Sequence, residues 1–164
     1  MYILDTNLFV QAGLGHYTHQ LTPGYWRWLE KAVEQGIIKS IGAVYREIVQ
    51  GKDSASDWAK QHKHVFENYN ASSKSLTSLA TWAHSQQFYA NAVADFLNVA
   101  NNADISLIAY CMDNPDATVV TYEQSNPHSK KRILIPDVCQ AFNIRVVEPR
   151  IMLFREKVQF HIRT

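Results

Sequence analysis

The sequence has no surplus of charge of either sign. Sixteen Lys and Arg stand against fifteen Asp and Glu, a net +1 at pH 7. That balance excludes a basic chain that coats nucleic acid indiscriminately, while leaving room for a local patch. Cysteine is scarce: Cys111 and Cys139 are the only two. They are far apart, without metal spacing, and sit in apolar context, so they read as reduced core thiols rather than as a disulfide framework. No apolar run approaches the ~20 residues of a membrane-spanning helix. The N-terminus has no basic segment leading into an apolar stretch of signal-peptide length. These absences lead to the expectation of a cytoplasmic protein with no membrane partner. No internal repeat or low-complexity tract is present, and no shift in composition marks a domain boundary.

What remains is a chain of 164 residues, 46% hydrophobic and 19% charged, enough for one domain with a sizeable core. Tyr2 to Asp5 reads as a first buried strand, followed by a short helical start at Leu8, Phe9 and Val10. Residues 11–22, with two glycines and with His16 and His19, read as a loop. The two histidines lack a nearby third ligand, so a metal site there is disfavoured. Pro23 to Gln35 predicts a helix that Gly36 stops. Ile37-Ile38 predicts a strand, and Ile41 to Gln50 a second helix, striped by Val44 and Ile48 with Glu47 on its border.

Residues 52–100 contain no clear strand. Ser56-Asp57 suggests a cap for a helix running through Trp58, Val65 and Phe66. Asn70 to Ser75 is a polar break, and Leu76 to Gln87 and Ala90 to Val99 read as helices. The aromatic side chains here are expected to face the core or a partner, because basic residues are too sparse among them for a base-stacking stripe. Asn101-Asn102-Ala103-Asp104 opens a helix that runs Ile105 to Met112, and Asp104, Ile108 and Cys111 share one face of it. Ala117 to Tyr122 is the strongest strand, running into Glu123. A polar, basic loop spans residues 124–132, with Lys130, Lys131 and Arg132. Asp137 then reads as the cap of a short helix. Arg145-Val146-Val147 is a last strand, and 150–164 reads as an amphipathic tail. Alternating strands and helices predict an α/β fold: a three-layer α/β/α domain around a mostly parallel sheet, with 52–100 as an enlarged helical lobe.

Two strands thus end in acids, Asp5 and Glu123, and two helices carry acids at their start or border, Asp104 and Glu47. A parallel sheet can bring all four to its carboxyl edge. Clustered carboxylates repel unless a cation neutralises them, and oxygen ligands favour Mg²⁺ or Mn²⁺. Such an ion activates water and stabilises a leaving oxygen in phosphate chemistry. Phosphatase chemistry through an aspartyl nucleophile is disfavoured, because the second acid it needs two residues after the first is here Asn7.

The stretch Tyr2-Ile3-Leu4-Asp5-Thr6-Asn7-Leu8-Phe9 resembles the opening motif of PIN-domain nucleases. Val44 to Gly51, around Glu47, resembles their second acidic motif. Ala103-Asp104-Ile105-Ser106-Leu107-Ile108-Ala109 resembles their third, and Val119-Val120-Thr121-Tyr122-Glu123 their fourth. The resemblance covers roughly residues 1–149 and includes the last strand. It implies a PIN-like nuclease domain in which Asp5, Glu47, Asp104 and Glu123 chelate Mg²⁺ or Mn²⁺ and direct hydrolysis of RNA, with Thr6, Asn7, Thr121 and Asp137 supporting them. It also implies the toxin of a bacterial toxin–antitoxin pair, with an antitoxin partner and a homodimer. The basic loop with Lys130, Lys131 and Arg132 reads either as a solvated turn or, beside an acidic metal centre, as the cations that contact single-stranded RNA. The chain departs from the pattern in having Glu at the fourth acid, a longer helical segment between the second and third motifs, and the further acid Asp137. A PIN-like module that binds RNA or protein without cutting is the alternative.

Overall fold

The computed structural model describes residues 1–14 and 21–159. Its centre is a five-stranded, all-parallel sheet of order β3-β2-β1-β4-β5. The strands are β1 (Tyr2–Leu4), β2 (Ile38–Ile41), β3 (Phe66–Glu67), β4 (Thr118–Val120) and β5 (Arg145–Val147). Parallel neighbours need crossovers, and helices supply them. These are α1 (Thr6–Leu14), α2 (Pro23–Glu34), α3 (Gly42–Ile48), α4 (Ser54–Gln61), α5 (Ser73–Ser85), α6 (Ala90–Phe96), α7 (Ala103–Asp113), α8 (Ile135–Ala141) and α9 (Pro149–Arg155). The result is the three-layer α/β/α architecture that the alternating pattern predicts.

The sheet core is apolar on both faces, as a covered parallel sheet requires. Ile3, Leu4, Ile38, Val119 and Val120 are fully buried, each stabilising the fold by about 1.5–3 kcal/mol. Cys111 and Cys139 are free and buried, and burial pushes the Cys111 thiol up to about 12. The aromatic residues pack as core: Trp58 stacks on Phe9 at 5.6 Å and meets Trp26 at 5.4 Å between ring centroids. Among the described residues, three positions use left-handed backbone, one of them Lys157 at φ 53° just past α9. Gly36 at φ 68° ends α2, and Asn143 at φ 54° turns α8 into β5, a conformation that Gly and Asn adopt most readily.

Several elements differ from the expected pattern. Residues 11–14 continue α1 rather than forming a loop; His16 and His19 lie outside the described residues. Residues 52–100 do contain a strand, β3, paired with β2 through Ser40–Phe66 and Ile41–Glu67. Asp53, not Ser56-Asp57, caps α4, accepting the Ser56 amide at 2.9 Å. Val65 and Phe66 lie beyond that helix, in a 3-10 turn and in β3. The cap of α8 is Leu134, with Pro136 in its first turn, so Asp137 is not the cap. The expected tail begins as α9, which buries Met152 and Leu153. Among the described residues, no helix is long and apolar enough to cross a membrane.

The strand order also decides where a ligand can sit. From β1 the chain builds outward to β2 and β3, then returns to place β4 on the other side of β1. The β1/β4 boundary is therefore a switch point, where open α/β sheets leave a crevice at the carboxyl ends of their strands.

Candidate active site

A cavity of about 520 Å³ lies at that edge. Asp5, Glu47, Asp104 and Glu123 all line it. Each arrives by a simple route. Asp5 directly succeeds β1 and Glu123 lies just beyond β4. Glu47 sits on the last turn of the helix after β2. Helix α7 runs back toward the start of β4, so its first turn, with Asp104, stands at the carboxyl edge. Asn102 caps that helix by accepting the Asp104 amide at 2.8 Å, which fixes the direction in which Asp104 leaves the backbone.

The acids are not alike. Asp5 is 3% exposed and its Oδ2 accepts the Thr121 hydroxyl at 2.7 Å. Thr121 is in turn tied to Asn7, whose Nδ2 reaches Thr121 Oγ1 at 3.3 Å while its Oδ1 accepts the Tyr122 amide. The β1 and β4 termini are thus laced together under the cavity. Burial pushes the Asp5 carboxyl up to about 6; the Thr121 bond pulls against this, and the charges of Glu123 and Glu47 add to it. Asp104 rises further, to about 8, first through burial and then through the charges of Asp5, Glu123 and Glu47, with Arg132 opposing.

The two glutamates are held differently. Glu47 accepts the Thr6 hydroxyl at 2.5 Å and the Ala103 amide at 2.7 Å. Thr6 was expected to orient Asp5; its hydroxyl instead holds Glu47, and only its backbone bonds Asp5. Glu123 accepts the Ile135 amide at 2.8 Å and a hydrogen bond from Arg132. The same Arg132 nitrogen stands 3.9 Å from Asp104. Arg132 is a cation already directed into the acids, and Lys131 lines the cavity beside it.

Lys130 does not line the cavity. Its carbonyl accepts the Tyr89 amide at 2.9 Å, which fastens the basic loop to the start of α6. Asp137 does not support the acids directly either. It holds Ser125 at 2.5 Å and the Asn126 amide at 3.2 Å, pinning the start of the same loop. Asn101, Asn102 and Asp95 also line the cavity, and sequence pattern alone did not single them out. The signal was present for Asn102, a cap residue immediately before an apolar helix.

Among the described residues, no group of three or more His, Cys, Asp or Glu side chains is arranged to hold a metal ion as it stands. The donor chemistry nonetheless suits a hard divalent cation: every candidate ligand is a carboxylate oxygen. Two of them, Asp5 and Asp104, have raised proton affinity that a nearby positive charge would relieve. Mg²⁺ commonly uses only one or two carboxylates and keeps its waters. Glu47 and Glu123 each already hold a backbone amide remote in the chain, which leaves Asp5 and Asp104 as the natural pair.

The chain belongs to the family described as Domain of unknown function (DUF4411), which matches residues 2–160. No curated protein and no solved structure matches it.

Proposed function

We propose that the protein is a divalent-metal-dependent endoribonuclease of PIN-like type. The observation that carries this reading is the gathering of Asp5, Glu47, Asp104 and Glu123 around one cavity at the β1/β4 switch point, with Lys131 and Arg132 on its rim. Asp5 and Asp104 would hold Mg²⁺ or Mn²⁺, with Glu47 and Glu123 contributing through water. When bound, the ion supplies charge neutralisation at the phosphate and a water of lowered pKa.

The protein's own groups do the rest. Thr121 fixes the Asp5 carboxylate through its 2.7 Å bond, and Asn7 fixes Thr121. Thr6 and the Ala103 amide hold Glu47 at the wall, where it can accept a proton from water. Arg132, 64% exposed on its side chain, can leave Glu123 for a phosphate oxygen, with Lys131 beside it. RNA is the favoured polymer because the cavity is open and rimmed by cations, as single strands require. The toxin role, with an antitoxin partner and homodimer formation, is the biological setting that the motif resemblance supports.

One observation favours a second reading, a module that binds RNA or protein without cutting it: Arg132 already neutralises Glu123. One assay separates the two. The purified protein is incubated with single-stranded RNA and Mn²⁺, beside Asp5→Asn and Asp104→Asn. The nuclease reading expects cleavage by the wild type and a loss of about 100-fold or more in both variants, with circular dichroism unchanged. Equal cleavage by all three would discard it.

A further inference from the structure

A second cavity of about 210 Å³ adjoins the acidic one. The two share Glu47, Asn101 and Asn102 as walls, so Glu47 is the partition between them. The remaining walls of the smaller cavity are Arg46, Gln50 and the small apolar side chains of Ala43, Val99 and Ala100, together with Ala103. Arg46 is exposed and forms no ion pair among the described residues. Asn102 is committed, capping α7 and donating to the Asp95 carbonyl at 3.1 Å. Gln50 and Asn101 are exposed, and their carboxamides make no hydrogen bond among the described residues.

The charges are distributed in banks. Lys131 and Arg132 line only the acidic cavity, Arg46 only the smaller one, and Glu47 is the one acid that lines both. A polyanion running from one cavity to the other across Glu47 meets cations in both. The free carboxamides beside Arg46 present donors and acceptors of the kind that pair with base edges, and unstacked bases of single strands are read in that way.

We infer that the smaller cavity is a nucleotide subsite for single-stranded RNA. It takes the nucleotide next to the scissile phosphate, with Arg46 on that nucleotide's phosphate and Gln50 and Asn101 on the polar edge of its base. The inference rests on the ribonuclease reading and adds to it a strand path and a flanking-base preference. Because Glu47 is the partition, the scissile phosphate lies on its Asp5 side and the recognised base on its Arg46 side.

The test uses the full chain carrying Asp5→Asn, which the ribonuclease reading expects to bind without cutting, and fluorescein-labelled single-stranded RNA oligonucleotides read by anisotropy in Mg²⁺. Adding Arg46→Ala is expected to weaken binding about tenfold and to lower the slope of log affinity against log salt by about 0.7. Gln50→Ala with Asn101→Ala is expected to keep the salt slope while flattening the preference among oligonucleotides that differ at one base. All three positions are exposed, so melting temperatures serve as the folding control. If Arg46→Ala binds RNA as tightly as its parent, the subsite is wrong and the ribonuclease reading stands. If the Asp5→Asn protein binds no RNA at all, the ribonuclease reading fails and the subsite with it.

Discussion

Helix α7 carries an aspartate at each end, and the two are opposites. Asp104, in its first turn, faces three other acids and is driven up to about 8, by burial first and then by their charges. Asp113, at its last turn, is fastened to the start of α5. Its carboxylate accepts the Tyr69 hydroxyl at 2.5 Å, the Ser72 amide at 3.1 Å and hydroxyl, and the Ser75 hydroxyl at 2.6 Å. Burial works to raise Asp113, but those hydrogen bonds outweigh it and hold the carboxyl at about 2. One end of the helix satisfies its charge and so joins two helices. The other end disfavours the charged form of its carboxyl, at the edge where the switch point opens a cavity. A carboxyl whose proton affinity is raised by burial and by neighbouring acids in a cleft is a candidate for a functional role, whereas Asp113 has all the features of a structural fastener.

The contrast can be broken or sharpened in three ways. The largest effect belongs to the acidic end. Thr121→Val removes the hydroxyl that fixes Asp5 and that Asn7 grips; RNA cleavage is expected to fall about 10–100-fold, as measured by kcat/KM on a labelled oligonucleotide. Asp113→Ala should leave that rate unchanged. Its effect is on stability instead. Tyr69 and Ser72 are half-buried and can turn to water, while Ser75 is buried, so the loss is about 1–2 kcal/mol after screening, or a drop of about 2–6 °C in Tm. A cleavage defect in Asp113→Ala would erase the distinction between the two ends.

The smallest effect is the most diagnostic. In the metal-free protein Asp104 binds its proton more tightly folded than unfolded, where its value is near 3.8. Its contribution is fully present below about pH 4 and is lost as pH rises toward 8. Asp113 has the reverse sign: its contribution is present above about pH 4 and is lost as pH falls toward 2. Asp104→Asn is therefore expected to melt about 2–4 °C above wild type at pH 8 and to match it near pH 4, by calorimetry in chelator. A variant less stable than wild type at pH 8 would show that Asp104 is a fastener too.

The acidic edge was largely legible in the sequence because strand and helix periodicity dictate it. Asp5 and Thr121 terminate apolar strands, and Asp104 shares a helix face with Ile108 and Cys111, which are buried as the spacing predicts. The four acids duly line one cavity. What escaped was decided by partners remote in the chain. β3 is only two residues long and exists because Ser40 and Ile41 offer it an edge. Thr6 turns to Glu47, 41 residues away, rather than to its neighbour Asp5. Asp137 serves the loop before it rather than capping α8. The continuation of α1 was hidden by Gln11 and Gly13, which interrupt an apolar stripe without interrupting the helix. Nor does local pattern reveal the Asp113 cluster, since its serines lie in a stretch that reads only as a polar break and Tyr69 stands just before it.

The central claim is that the Asp104 end of α7 belongs to a cation site. The most direct test is calorimetric titration of Mn²⁺ into the wild type and into the Asp5→Asn, Asp104→Asn double variant, at neutral pH and moderate salt. The expected result is saturable binding by the wild type that disappears in the folded double variant. No binding by the wild type, or equal binding by both, would contradict the claim.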